Sequence, residues 1–157
     1  MSEFRLHQMT GKVPEPLHIM DAEERKTLPV TGDAVWIGLS APEIHLLVTA
    51  GMKQLNGFAN LVLNARDIAK ETEKNIRRGL QAAGYAAAGF SERVIGDQKA
   101  EGFRYTYTAQ GIAVTGETWV VKTGRDLYEL HFYGRTETLD ECLPVWEKLL
   151  ASVHWQE

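Results

Sequence analysis

From Tyr85 onward, apolar residues recur at every second position through four successive segments, each closed by a turn sequence. A period of two is that of a β-strand, whose side chains point alternately to opposite faces. The segments are 85–95, 101–109, 113–122 and 126–134. Gly96-Asp97, Gln110-Gly111 and Gly124-Arg125-Asp126 separate them, and such short turns close hairpins, so the strands are predicted to pair antiparallel. In the second segment Phe103, Tyr105 and Tyr107 share a face, with Arg104, Thr106 and Thr108 on the reverse. In the fourth, Tyr128, Leu130 and Phe132 share a face, with Glu129, His131 and Tyr133 on the reverse.

Such a sheet must be covered, and two helical segments are available. Asn64 is suited to cap a helix whose third position is Asp67. Ile68, Thr72, Ile76, Leu80 and Ala83 then form one face at a 3.6-residue period, and Gly84 supplies the stop. A last helix starts either at Thr138, paired with Glu141 in a capping box, or at Pro144, which is poorly tolerated deeper inside a helix. Leu139, Leu143, Trp146, Leu150 and Val153 line its inner side.

The first third is less regular. Residues 4–8 suit a strand, Pro14 and Pro16 interrupt the chain, and Asp21 with Glu24 can cap a short helical turn. Ala34 to Leu39 reads as a buried strand. Ile44 to Thr49 fits a strand or a capped helix, and its composition favours the strand. Met52 to Leu63 is predicted helical, because Leu55, Phe58 and Val62 fall three and four residues apart.

The 157 residues are expected to form a single domain, residues 1–157, of α+β class, with about six antiparallel strands flanked by helices. A net charge of −4 without a basic run argues against nucleic-acid binding. No apolar stretch approaches the length of a membrane span, so no membrane insertion is expected. The absence of a secretory leader and the single cysteine, Cys142, point to a cytoplasmic protein.

Several stretches resemble the Mog/PsbP-like family of α/β/α sandwiches. Lys99-Ala-Glu-Gly-Phe-Arg-Tyr-Thr-Tyr is similar to the strand after that family's first long helix. Glu117-Thr-Trp-Val-Val-Lys followed by Leu127-Tyr-Glu-Leu-His-Phe-Tyr resembles the next two strands. The closing Leu143-Pro-Val-Trp-Glu-Lys-Leu-Leu-Ala-Ser-Val-His-Trp is similar to the family's final "pro-x-phe-x-x-ile-leu-x-ser-phe" helix. The resemblance covers residues 64–155 and rests on core and turn positions. Family members include a Ran-binding import factor, a photosystem subunit and chaperones for secreted effectors. It therefore implies non-catalytic binding of another protein, by analogy of fold.

No residue set commits the chain to catalysis, to a metal or to another cofactor. Glu129 and His131 lie two apart on one strand face, and with Arg104 or Tyr133 nearby they would form an acid–base or ligand site. Trp119 and Tyr133 would anchor a partner or ligand if they lay exposed off the main aromatic face. His7, His18, His45 and His154 lack ligand spacing, and no phosphate-cradling glycine motif or Gly-x-Ser-x-Gly elbow occurs. Cys142 reads as a packed thiol. Three readings follow: a protein-binding or adaptor domain, possible also as a homodimer through an unpaired edge strand; a small-molecule-binding protein or enzyme using Arg104, Glu129, His131 and Tyr133; and a chaperone for a secreted effector.

Overall fold

The computed structural model describes residues 2–28 and 35–156. Ala34 lies outside this set, so the strand expected from it is traced only from Val35.

The chain begins with a hairpin, β1 (Glu3–Leu6) and β2 (Met9–Lys12), followed by β3 (His18–Ile19) and the single turn α1 (Ala22–Arg25). Asp21 and Glu24 make the expected capping box there. β4 (Val35–Ala41) and β5 (Leu46–Gln54) pair antiparallel. The segment that admitted either strand or helix is thus the strand, because Leu46, Val48 and Ala50 are buried in alternation. The helix expected over 52–63 shrinks to α2 (Gly57–Val62), since β5 consumes Met52 and Asn56 caps the new start by accepting from the Ala59 amide.

α3 (Ala65–Gly79) opens with a reciprocal capping box between Asn64 and Asp67 and ends in a 3-10 turn before Gly84, whose φ is +73°. The strand read as 85–95 is broken in two, β6 (Ala86–Ala87) and β7 (Ser91–Ile95), which pair with different halves of β8 (Gln98–Ala109). β9 (Ile112–Thr123) and β10 (Asp126–Arg135) complete the meander as expected. At the β8–β9 turn Gln110 and Gly111 both have positive φ, as a two-residue type I′ hairpin requires.

α4 (Leu139–Ala151) follows a 3-10 turn. The expected Thr138 cap does not form, because the Thr138 hydroxyl donates instead to the Ile44 carbonyl at 2.9 Å. Pro144 lies inside this helix and leaves the Asp140 carbonyl without its amide partner. A short β11 (His154–Trp155) closes against β2.

The main sheet has the order β3-β4-β5-β10-β9-β8-β6, all antiparallel, with β7 also on β8, which makes eight strands among the described residues where about six were expected. A separate three-stranded sheet, β1-β2-β11, joins α4 in covering one face. On that face Leu39, Val48, Tyr128, Leu130 and Phe132 meet Phe4, Leu6 and Met9 from the small sheet and Trp146, Leu149 and Leu150 from α4. Each large apolar side chain buried here stabilises the fold by about 1.5–3 kcal/mol as an upper estimate. On the opposite face, α3 and Phe90 cover only part of the sheet, around Val120 and Leu127. Among the described residues no helix is long and apolar enough to cross a membrane.

Candidate functional site

The register decides which candidate residues meet. Arg104 lies opposite Glu117, and Glu117 opposite Phe132, so Arg104 belongs to the face packed under α4. Phe103 lies opposite Thr118, and Thr118 opposite His131, so the Phe103/Tyr105/Tyr107 row shares the other face with Glu129, His131 and Tyr133. The sheet therefore separates Arg104 from His131. Trp119 sits on the α4 face and Tyr133 on the reverse, so they do not form a pair.

Under α4, Glu117 is 3% exposed and Trp119 6%. Glu117 Oε1 accepts from the indole of Trp119 at 2.6 Å and from that of Trp146 at 3.0 Å. Its Oε2 accepts from Arg104 Nε at 3.1 Å and Nη2 at 2.8 Å. The Arg93 guanidinium lies 5.4 Å from the Trp119 ring centroid and forms a bidentate pair with Glu147. Trp119 is thus a core ring covered by arginine, lying against Gly102, where a Cβ would come within 2.5 Å of the indole. Glu117, overlooked in the sequence, is the hub that ties α4 to the sheet.

On the reverse face the titratable groups are each paired with a neighbour. Glu129 Oε1 accepts from the Thr72 hydroxyl of α3 at 2.8 Å. His131 Nδ1 lies 2.9 Å from the Thr118 hydroxyl. Burial lowers the His131 pKa, while the Glu129 carboxylate acts in the opposite direction. Such an imidazole is held neutral. Tyr133 stacks on His131 with centroids 6.2 Å apart, and burial pushes its phenol up to about 12. Burial also raises Tyr105, with the neighbouring tyrosines adding to the effect. Among the described residues no three His, Cys, Asp or Glu side chains converge as metal ligands. Cys142 is buried, its thiol is raised by desolvation, and it donates to the Ile44 carbonyl.

Among the described residues, two open surfaces carry large apolar side chains close together. Where α3 does not reach, a groove of about 580 Å³ runs over Leu47, Thr49, Val114, Tyr107 and Tyr133, with His45 and Arg135 among its other lining residues. Of the five residues singled out in the sequence, only Tyr133 lines it. The second is α2, on which Phe58 and Leu61 are 76% and 85% exposed and Val62 and Leu63 are also open. Their helical spacing was visible in the sequence, but their exposure was not.

No family model and no curated protein matches the chain. Solved structures do. Cyanobacterial PsbP (CyanoP) from Synechocystis sp. PCC 6803 superposes over 98% of this chain and 91% of its own, with a TM-score of 0.70 at 9% identity. LpqN of Mycobacterium tuberculosis, described as involved in cell envelope biogenesis, matches over 99% and 91%, with a TM-score of 0.67 at 12% identity. This chain has the Mog/PsbP-like fold. A Bacteroides thetaiotaomicron protein matches over 99% of this chain at a TM-score of 0.63 and 13% identity, and the chain spans about half of that protein, 48%. At these identities the likeness extends to the Mog/PsbP-like architecture alone, and function has to be argued from side chains.

Proposed function

We propose that this chain is a non-catalytic protein-binding domain that docks a partner through α2. The observation that carries this reading is the open stripe of Phe58, Leu61 and Val62, with Leu63 beside it. A monomeric surface rarely leaves several large apolar side chains adjacent to one another unless something covers them.

The charges around the stripe specify the partner's chemistry. Lys122 Nζ donates to the Asn60 carbonyl of α2 at 2.8 Å, and the Arg125 guanidinium donates to the Leu55 carbonyl just before it. Arg66 and Lys99 line a small polar pocket together with Lys122. Glu101 in that pocket faces Arg66 at 3.6 Å and Lys99 at 3.8 Å, Glu92 pairs with Lys99 at 3.3 Å, and Asp67 is committed to the α3 capping box, so Lys122 and Arg125 are the cations set against α2. An apolar stripe flanked by Lys122 and Arg125 suits a partner segment that alternates apolar and acidic residues. A second copy of this chain fits less well, because a two-fold contact through α2 would bring the cations against one another.

A photo-crosslinking residue placed at Leu61 tests this, with Lys148 on α4 as the control position. The expected result is a heterologous adduct from Leu61 alone, lost in the F58S/L61S double variant with no fall in melting temperature. Adducts of equal yield from Lys148, adducts of homodimer mass, or none from Leu61 would overturn the reading.

A further inference from the structure

The groove left uncovered by α3 is distinct from the α2 stripe and has the attributes of a small-molecule site. Its volume of about 580 Å³ falls in the range of pockets that enclose drug-sized ligands. Its lining is largely apolar. Tyr107 stacks on Tyr105 with an interplanar angle of 16°, and Tyr133 stacks on His131 at 21°, so two aromatic slabs border the floor made by Leu47 and Val114. Aromatic faces of this kind favour a planar ring over a branched aliphatic body.

The groove also selects the sign of its ligand. Among the described residues that line it, Arg135 is the full cation and none is a carboxylate. Hydroxyls from Ser40 and Thr49 complete the polar rim. Arg135 pairs with Glu137 at 3.3 Å, but Glu137 is 69% exposed, and a solvated ion pair of this kind yields readily to a desolvated anion. We propose that this groove binds a small aromatic organic anion, its ring against Tyr107 and Tyr133 and its acid group at Arg135.

Two probes that differ in charge test the proposal on the full chain: anilinonaphthalene sulfonate and its uncharged counterpart N-phenylnaphthylamine. Fluorescence titration is expected to show saturable one-to-one binding of the anion. Arg135→Gln should weaken the anion about three- to tenfold and the neutral probe less than about twofold. Val114→Trp fills the groove and should abolish both, whereas F58S/L61S should change neither. Amide chemical shifts of the unaltered protein give a second readout that does not depend on the variants folding, with perturbations expected at Leu47, Val114, Tyr133 and Arg135. Anion binding that survives Val114→Trp, is lost in F58S/L61S, ignores Arg135→Gln, or shifts amides elsewhere would overturn it.

Discussion

Glu117 gives the sharpest test of how the α4 face is held together. Replacing it with alanine removes the acceptor of two buried indole N–H groups and of Arg104. Each indole donor left buried without a partner costs about 1–3 kcal/mol, and the vacated volume adds to that. Arg104 is 45% exposed and can return to water, so its lost pairing is discounted. The total comes to about 3–4 kcal/mol, within the range seen when one partner of a buried pair is deleted. At about 3 °C per kcal/mol for a chain of this length, the melting temperature should fall by about 10 °C. Glu117→Gln keeps an oxygen for both indoles and loses only the charge-assisted arm, so it should cost about 1–2 kcal/mol. Urea denaturation followed by near-ultraviolet circular dichroism reads both, because Trp119 and Trp146 report directly. A Glu117→Ala protein within about 1 kcal/mol of the parent, or a Glu117→Gln protein as unstable as the alanine variant, would refute the hub.

Two further outcomes follow from single contacts. Burial lowers the His131 pKa, so the native state binds fewer protons than the unfolded chain once the pH drops below the unfolded value of about 6.5. Its stabilising contribution is complete above that value and is lost as the pH falls toward the native pKa; His131→Asn should flatten that part of a urea-midpoint profile between about pH 7 and 5, and an unchanged slope would contradict a neutral buried imidazole. Asn64→Ala removes the acceptor of the Asp67 amide at 2.9 Å and should cost about 1 kcal/mol in urea, with loss of amide protection confined to the first turn of α3.

The meander was readable from the sequence because alternation and turns agree there, and the same turns carried more than was drawn from them. Two-residue loops at Gln110-Gly111 and Gly124-Arg125 set the parity of the pairing, so an even-numbered residue of β8 shares its face with an even-numbered residue of β10. Arg104 therefore falls with Phe132 and never with His131. Grouping Arg104 with Glu129 assumed that polar residues collect on one side of the sheet, but helices or strands cover both sides here, and each side holds its own polar contacts. Glu117 carried no signal, since a carboxylate in a strand looks solvated until α4 is laid over it. The α2 stripe was legible as helix but not as surface: Leu63 and Asn64 redirect the chain, and α3 rather than α2 is laid across the sheet. Residues 85–95 deceived for a simpler reason, as the exposed Ala88-Gly89 separates two short pairings with one long partner strand.

The carboxylate and imidazole weighed as a site, Glu129 and His131, are held by neighbours away from the open surfaces. A general acid or base needs a titratable group at the edge of a space that a substrate can enter. Glu129 and His131 are held by Thr72 and Thr118, and Glu73 on α3 by Tyr85 and Arg77, while the imidazole that lines the groove is His45. Glu117 is engaged on all sides beneath α4. The open surfaces hold another set: large apolar side chains on α2, tyrosine rings and Arg135 in the groove, and Lys122 beside α2. Thr118→Val or Thr72→Val would release His131 or Glu129 without placing either in the groove, which on that strand face is lined by Tyr133, two residues beyond His131.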